Sequence, residues 1–201
     1  YITPLVFMIV LGTVLLNATT ARFFAKLVGV FLKKSEGILI IGASKLSRLI
    51  GNYLRKNNRH VVLIDNNQNN VEKAKKLGLE AITANIFSDT LTDNIELNDM
   101  GYLMALTGNS DINKFAINKF QRQFGENGAF RLVNTEEVND PDNNPKEGLF
   151  SHTDDFIQLM DTVRKHPTIH EIDLDDKEHY DELIDITYEE RDIVSLFTKS
   201  P

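Results

Sequence analysis

Five short apolar runs, separated by stretches of helical periodicity, follow one another along the middle of the chain. Strands that are buried on both faces of a sheet are continuous apolar runs, and helices between such strands are typical of βαβ units. The pattern therefore predicts an α/β fold with a doubly wound parallel sheet within residues 35–133. The runs are 38–41, 60–65, 79–85, 102–107 and 129–133.

The first run leads into a glycine turn of the kind that opens a nucleotide-binding site. Where such a turn has Gly-x-Gly-x-x-Gly, residues 42–47 are Gly-Ala-Ser-Lys-Leu-Ser. Gly42 keeps the tight turn, whereas Ser44 and Ser47 place side chains where the second and third glycines leave room for pyrophosphate and for helix packing. The N–H groups and the dipole of the following helix attract phosphate in either case.

An acidic residue, Asp65, ends the second run, 18 residues after Ser47. At this place in a dinucleotide-binding fold, a carboxylate accepts hydrogen bonds from the ribose hydroxyls. A turn-forming aspartate before Asn66 and Asn67 is the structural alternative. The residues by themselves leave open whether the turn is a working, an altered or a lost nucleotide site.

The first 21 residues, Tyr1 to Ala21, carry no charge and are mostly apolar. At about 1.5 Å per residue, a helix of this length spans about 30 Å, the thickness of the hydrocarbon layer of a membrane. Residues 22–34 contain four basic and no acidic residues, which by the positive-inside rule places the body of the chain, 35–201, in the cytoplasm. The alternative is a buried helix of a soluble protein. The apolar stripe of 22–34 suits a helix along the membrane surface or the end of the same helix.

The charge of the chain is divided between its parts. The net charge is −7, but the first 34 residues carry +4, and the remaining 167 residues carry 18 basic and 29 acidic side chains. Such an acidic body excludes a nucleic-acid surface, which needs clustered lysine and arginine. The chain has no cysteine, and therefore no disulfide framework and no thiolate metal site. It begins at Tyr1, which indicates a piece of a longer protein.

The alternation of runs and helices ends at a polar, turn-rich stretch, 134–148, which we interpret as a linker. Beyond it, 149–201 combines two helical periods with the apolar runs 168–174 and 192–197, and is predicted to be a small α+β domain. The five histidines show no metal-ligand spacing with a helical carboxylate pair. We therefore expect neither an enzyme nor a metal site.

Three segments of the body, "ILIIGASKLSRLIGNYLRKNNRHVVLIDNN", "ITANIFSD" and "ALTGNSDIN", carry a resemblance to a known family. From Gly37 to about Val133 the chain resembles the KTN/RCK domain, the Rossmann-like, Trk-type regulatory module of potassium channels and cation transporters. The head, "LGTVLLNATTARFFAKLVGV", resembles the last transmembrane helix of bacterial cation:proton antiporters of the NhaP-like, CPA type. The order of antiporter helix, KTN domain and small C-terminal domain recurs in that family.

The resemblance implies nucleotide contacts after each of four strands. They are Gly42, Ala43, Ser44, Lys45 and Leu46 in the phosphate loop, Asp65 and Asn66 at the ribose, Asn85 and Ile86 after the third strand, and Thr107, Gly108 and Asn109 after the fourth. The implied ligand is NAD(H) or an adenine nucleotide: AMP, ADP or ATP. The family more often has Gly-Asp where this chain has Ala84-Asn85, and this departure and the missing glycines weigh against NAD.

The function that the resemblance implies is a cytoplasmic, nucleotide-sensing region of a monovalent cation:proton antiporter in the inner membrane. Its partners would be a second copy of the KTN domain, its own multi-pass transport domain, and the sodium or potassium ions and protons that pass through that domain. A regulator of a potassium channel or uptake system is the alternative in the same class. A soluble NAD-dependent oxidoreductase and a dimerisation scaffold with a lost site are alternatives of other classes.

Overall fold

The computed structural model describes residues 2–27, 35–88, 97, 99–138, 147–150, 155–174, 176–189 and 193–198. The chain divides into two compact units, 1–34 and 35–201. The described helices and strands are α1 (Ile2–Leu27), β1 (Gly37–Ile41), α2 (Lys45–Lys56), β2 (Val61–Asp65), α3 (Gln68–Lys76), β3 (Glu80–Thr83), β4 (Met100–Ala105), α4 (Ser110–Phe124), β5 (Gly128–Arg131), α5 (Thr135–Val138), α6 (Phe156–Lys165) and α7 (Lys177–Glu189).

The first unit contains a single long helix, α1, in the part of it that the structure describes. Its segment Ile2–Ala21 has a mean hydropathy of 2.0, and none of it is buried. The hydroxyls of Thr13, Thr19 and Thr20 donate to carbonyl oxygens of the preceding turn, so these polar groups need no water. By length and composition α1 can cross a membrane. Most of the predicted surface segment, 28–34, lies outside the described residues.

The second unit is built on a five-stranded sheet with the strand order β3-β2-β1-β4-β5. Every neighbouring pair of strands is parallel. The order reverses at β1: the chain moves outward through β2 and β3, and then continues on the other side of β1 with β4 and β5. This confirms the predicted Rossmann-like α/β fold, because each of the five apolar runs forms a strand.

Alternate residues of the strands enter two separate apolar layers, as expected for a sheet that is covered on both faces. In β1, Ile38 and Ile40 face one layer, and Leu39 and Ile41 face the other. The first layer holds the buried faces of α2, α3 and α6, and the second holds that of α4.

The C-terminal region differs from the predicted linker and α+β domain. The described residues of the runs 168–174 and 193–197 form no strand. At the carboxyl end of β5, Arg131 donates its N–H to Glu147 O at 2.8 Å and accepts from Leu149 N at 2.9 Å. Side chains hold the two runs instead: Glu171 accepts a hydrogen bond from the Tyr53 hydroxyl at 2.9 Å. The ring of Phe197 also stacks against that of Tyr53.

The stretch predicted as a linker is ordered at both of its described ends. Asn134 and Glu137 form a reciprocal cap around α5, in which each backbone N–H donates to the other side chain, at 3.2 and 2.7 Å. Residues 147–149 pair with β5, and 35–201 form one compact unit. The segment FSDTLTDNI, 87–95, also predicts a short helix, but most of it, 89–95, lies outside the described residues.

Candidate functional site

An open cleft of about 240 Å³ lies along the carboxyl edge of the sheet. This is the edge at which ligands bind in doubly wound folds, outside the point where the strand order reverses. The walls come from the residues that follow β3, β2, β1 and β4, joined by residues of α3, α4 and α6. Its lining residues are Ile41, Gly42, Ser44, Ile64, Asp65, Asn66, Asn70, Ala84, Asn85, Ile86, Phe87, Leu106, Thr107, Gly108, Ile112 and Phe156.

Gly42 makes the turn from β1 toward α2 at the floor of the cleft. Its φ of +97° is a conformation that side-chain-bearing residues rarely adopt. A Cβ at this position would also lie 3.1 Å from Thr107 Cγ2 and 3.2 Å from Leu106 O. The backbone N–H of Gly42 donates to Ile64 O at 2.7 Å, which fixes the turn against β2. The first glycine of the expected turn is therefore required by both conformation and space.

Ala43, the next residue, is held by hydrogen bonds at both its backbone N–H and its carbonyl oxygen. Its N–H donates to Asp65 Oδ2 at 2.7 Å, and its carbonyl oxygen accepts from Arg48 Nη1 at 2.5 Å. Burial lowers the pKa of Arg48, and the nearby carboxylate of Asp65 acts in the opposite direction. Ala43 itself is fully buried, so this clamp fixes the phosphate loop from behind and leaves the cleft open.

Ser44 and Ser47, which replace two glycines, bond to each other. Ser44 is the N-cap of α2: its Oγ accepts from Ser47 N at 3.2 Å and lies 3.0 Å from Ser47 Oγ. Ser47 is fully buried and takes no space in the cleft. The amides of Lys45 and Leu46, in the first turn of α2, have no intrahelical acceptor. No acidic residue stands in this turn, so the helix end suits a phosphate.

Asp65 ends β2 and is largely committed to the chain's own donors. Its Oδ1 accepts from Asn67 N at 2.8 Å, and its Oδ2 accepts from Ala43 N and from Asn70 Nδ2, the latter at 3.2 Å. A carboxylate has about four acceptor positions, so about one remains for a ribose hydroxyl. Asn66, beside it, is exposed at the rim. Asp65 thus both stabilises the turn after β2 and lines the cleft.

The β3 side of the cleft is more apolar. Asn85 turns its side chain back to accept from Phe87 N at 3.0 Å, which shapes the loop after β3. Ile86 is buried, and the exposed ring of Phe87 packs on Phe115 with centroids 4.7 Å apart. These side chains and Ala84 form a wall of the kind that suits the face of a base.

Asn113 of α4 organises the loop after β4. It is almost fully buried, and its Oδ1 accepts from Thr107 N at 3.1 Å and from Thr107 Oγ1 at 2.7 Å. Its Nδ2 donates to Thr107 O at 3.0 Å. Asn109 has a local role, as the N-cap of α4 that accepts from the amides of Asp111 and Ile112. Asn113 thus positions Thr107 and Gly108 at the edge of the cleft.

Eight of the twelve residues predicted for the site line the cleft: Gly42, Ser44, Asp65, Asn66, Asn85, Ile86, Thr107 and Gly108. The other four are Ala43, Lys45, Leu46 and Asn109. Among them, Leu46 is a core side chain, and Lys45 points to solvent. The sequence prediction missed eight residues of the lining: Asn70, Ile112 and Phe156, and also Ile41, Ile64, Ala84, Phe87 and Leu106. Asn70 and Ile112 belong to helices α3 and α4, which the helical periodicity of the sequence predicts beside the strand ends. No local pattern in the sequence places Phe156 at the cleft.

A buried ion pair supports the β5 end of this edge. Arg131 donates to both carboxylate oxygens of Glu137, at 3.0 and 2.9 Å. Burial opposes ionisation of Glu137, but the hydrogen bonds from Arg131, Lys114, the backbone of Asn134 and Ser110 outweigh it and hold its pKa well below the usual range. Glu137 therefore stays ionised at neutral pH and ties β5 and α5 to α4.

Comparison with known proteins agrees with this geometry. The family model described as the TrkA-N domain matches residues 38–142, which is more than half of the chain. No curated protein matches the chain significantly. The matched range contains every residue predicted for the site and ends before Phe156.

Proposed function

Because the chain belongs to the TrkA-N domain family, we propose that residues 35–201 sense an adenine nucleotide and regulate a cation transporter to which α1 belongs. Domains of this family are regulatory, nucleotide-binding domains of potassium transport systems, as the resemblance to the KTN/RCK domain implies.

The observation that carries the proposal is the cleft at the carboxyl edge, with the glycine turn and the capped end of α2 at its floor. Gly42 has the conformation of the first glycine of a phosphate-binding turn. The two serines that depart from the glycine pattern bond to each other and leave the end of α2 open. These features favour an altered, working site over a lost one.

The cleft suggests an orientation for the ligand. The phosphate fits at Ser44 and the first-turn amides of α2, since this helix end attracts anions. The ribose fits next to Asp65 and Asn66, and the base fits toward Ala84 and Ile86. When bound, a nucleotide would supply negative charge and a rigid bridge between the loops that follow four strands.

The membrane setting rests on α1, whose segment Ile2–Ala21 is long and apolar enough to cross a membrane. Together with the basic residues that follow it, this supports a cytoplasmic location for the nucleotide-binding unit. We propose that α1 is the last helix of a multi-pass monovalent cation:proton antiporter in the inner membrane. We further propose that the unit acts as a homodimer beneath that transport domain.

Regulation by a nucleotide requires that it bind two conformations of the transporter with different affinity. A ligand that bridges the loops after β3, β2, β1 and β4 favours whichever arrangement of the unit brings these loops together. The transport domain would then follow through α1, without a chemical step. In this proposal the domain is not an enzyme.

Calorimetric titration tests nucleotide binding. The full chain in detergent is titrated with AMP, ADP, ATP, NAD+ and NADH, and we expect micromolar binding of at least one. Ala84→Phe fills the cleft and should abolish binding. Thr83→Phe is the matched control, because the neighbouring Thr83 is exposed and does not line the cleft. Absence of binding by all five nucleotides would contradict the proposal.

Ion flux in vesicles tests the antiporter context. In everted vesicles that contain the parent protein, addition of NaCl or KCl should dissipate an imposed proton gradient, as followed with a pH-sensitive dye. The bound nucleotide should change the rate, and Ala84→Phe should remove this change without removing transport. Potassium movement without proton countermovement would instead favour the channel or uptake alternative.

A further inference from the structure

A second cleft, of about 180 Å³, continues the first one along the carboxyl edge toward β5. The first cleft follows the ends of β3, β2, β1 and β4, and the second follows the ends of β4 and β5 and the start of α6. Besides the residues that both share, the second is lined by Ser110, Asn113, Leu132, Val133, Asn134, Asp155 and Ile157. The two clefts therefore form one line across the point where the strand order reverses.

The side chain of Phe156 stands at the boundary of the two clefts. Together with Thr107 and Gly108, it is one of the residues that line both. Its ring lies directly on Gly108: a Cβ built there would be 2.8 Å from Cδ1 and 2.9 Å from Cε1 of Phe156. Because Gly108 has no side chain, the ring of Phe156 can lie on its backbone, and there it separates the first cleft from the second.

The ring is fixed by the helix that carries it. Phe156 is the first residue of α6, and Asp155 caps this helix by accepting from Gln158 N at 2.9 Å. Leu159 and Val163, on the buried face of α6, belong to the same apolar layer as Ile50 of α2. Displacement of the ring by more than a rotamer change would therefore disturb the packing of α6 on the sheet layer.

A dinucleotide in a doubly wound fold occupies both sides of the reversal point, one nucleoside on each. A mononucleotide needs only the end of α2 and the side of β2 and β3, whereas the second nucleoside of a dinucleotide lies toward β4 and β5. The first cleft offers the end of α2 for a phosphate and an apolar wall for a base. Among the described residues that line the second cleft, Asp155 is the one with a charge, and it is acidic. This side of the edge is unfavourable for further phosphate.

We propose that Phe156 divides the carboxyl edge and restricts the site to adenine mononucleotides by excluding the second nucleoside of NAD(H). This inference rests on the proposed nucleotide-binding function and adds the ligand class and the residue that selects it. Selection here works by a steric obstacle against the larger ligand, with no new contact to the smaller one. Phe156 lies outside the range that the family model matches, so the restriction belongs to this chain's C-terminal region.

Paired titrations of the full chain in detergent with AMP and NAD+ test this inference. We expect the wild type to bind AMP at least about tenfold more tightly than NAD+. Phe156→Ala should reduce the preference for AMP over NAD+ by about tenfold, measured as the ratio of the two affinities, because the obstacle to NAD+ disappears. Phe156→Trp keeps a ring on Gly108 and should preserve the preference for AMP.

Folding is checked by circular dichroism, and Phe156→Leu replaces the alanine variant if the latter unfolds. With the leucine variant, we expect a smaller shift of the ratio between the two affinities in the same direction. A wild type that binds AMP and NAD+ equally, or a ratio that neither Phe156→Ala nor Phe156→Leu changes, overturns the role of Phe156 and leaves the proposed function intact. A wild type that binds no nucleotide overturns both.

Discussion

Individual side chains at the carboxyl edge hold the backbone of the site as well as lining it. Asp65 accepts from the amides of Ala43 and Asn67 and from the side chain of Asn70, so it connects the phosphate loop, the end of β2 and α3. Arg48 completes the clamp on Ala43. Substitution of such a residue affects the shape of the site before it affects any contact with a ligand.

Asp65→Ala should therefore destabilise the unit, even without nucleotide. It leaves the buried amide of Ala43 without its acceptor, which costs about 1–3 kcal/mol in the free energy of unfolding. Asp65→Asn keeps an oxygen for that amide and should cost less. The measurement is urea unfolding of the full chain in detergent. Asn66→Ala, at an exposed neighbour, is the control, and equal stability of Asp65→Ala and Asn66→Ala would refute the clamp.

Glu137 is expected to make stability depend on pH in the acid range. Its pKa is held below the ordinary value of 4.5, so its contribution is fully present above that pH and is lost as the pH falls toward the lowered value. Glu137→Gln breaks a buried pair with Arg131 and should cost about 3–5 kcal/mol at pH 7. The difference in unfolding free energy between wild type and variant should shrink progressively below about pH 4.5.

Glu136→Gln provides the matched control for Glu137→Gln. Glu136 lies on the same helical turn, α5, but is exposed. Its substitution should change the unfolding free energy by less than about 0.5 kcal/mol at every pH. If both variants behave alike, the buried pair does not stabilise the β5 end.

At the scale of elements, the opposite, amino edge of the sheet is joined by a histidine. His60 precedes β2, and its ring nitrogens lie 2.7 Å from Asp99 Oδ2, just before β4, and 3.1 Å from Glu80 Oε2, at the start of β3. Burial lowers the pKa of His60, but the hydrogen bonds and charges of Glu80 and Asp99 outweigh this and raise it. Protonated His60 thus links the ends of three strands.

The sign of the pH effect follows from the raised pKa of His60. Its contribution is fully present below about pH 6.5, the unfolded value, and is lost as the pH rises through the raised folded value. With the side chain 41% exposed, solvent screening keeps the contribution below about 1 kcal/mol. His60→Gln should therefore lower the unfolding free energy at pH 5.5 and have little effect at pH 9. Equal effects at both values would argue against ion pairing.

At the scale of the whole molecule, the chain consists of two units that differ in where their apolar side chains lie. The side chains of Ile2–Ala21 in α1 are exposed, whereas the second unit encloses two apolar layers of its own. Lipid is the environment that suits an exposed apolar helix of this length. The two units should therefore respond separately to substitutions in α1.

Leu11→Arg combined with Leu15→Arg should abolish the membrane association of the chain. Each arginine at the centre of a membrane helix costs about 2.5–3.5 kcal/mol, so the fraction in the membrane pellet after alkaline extraction should fall by more than about tenfold. Leu11→Ala with Leu15→Ala is the control and should stay in the pellet. Circular dichroism should show the second unit still folded. Membrane retention of the double arginine variant would contradict a spanning role for α1.

The strands of the second unit were predictable, because an apolar run between two helical periods is a pattern of residues that are adjacent in the sequence. The C-terminal runs 168–174 and 192–197 look similar, but their described residues form no strand. These runs contact the rest of the unit through side chains, such as those of Glu171 and Phe197 with Tyr53, and a local apolar pattern does not distinguish such contacts from strand pairing. The linker prediction likewise missed the Asn134–Glu137 cap, because the polar, turn-rich composition around it outweighed this short capping pattern.

The sequence by itself determined the parallel sheet, the glycine turn at Gly42 and the membrane-length helix, because each depends on neighbours along the chain. Only the tertiary structure decided what Asp65 holds, since Asp65 and Ala43 are 22 residues apart. It also decided that Phe156 covers Gly108. Such contacts depend on how distant segments pack, and no local periodicity encodes them.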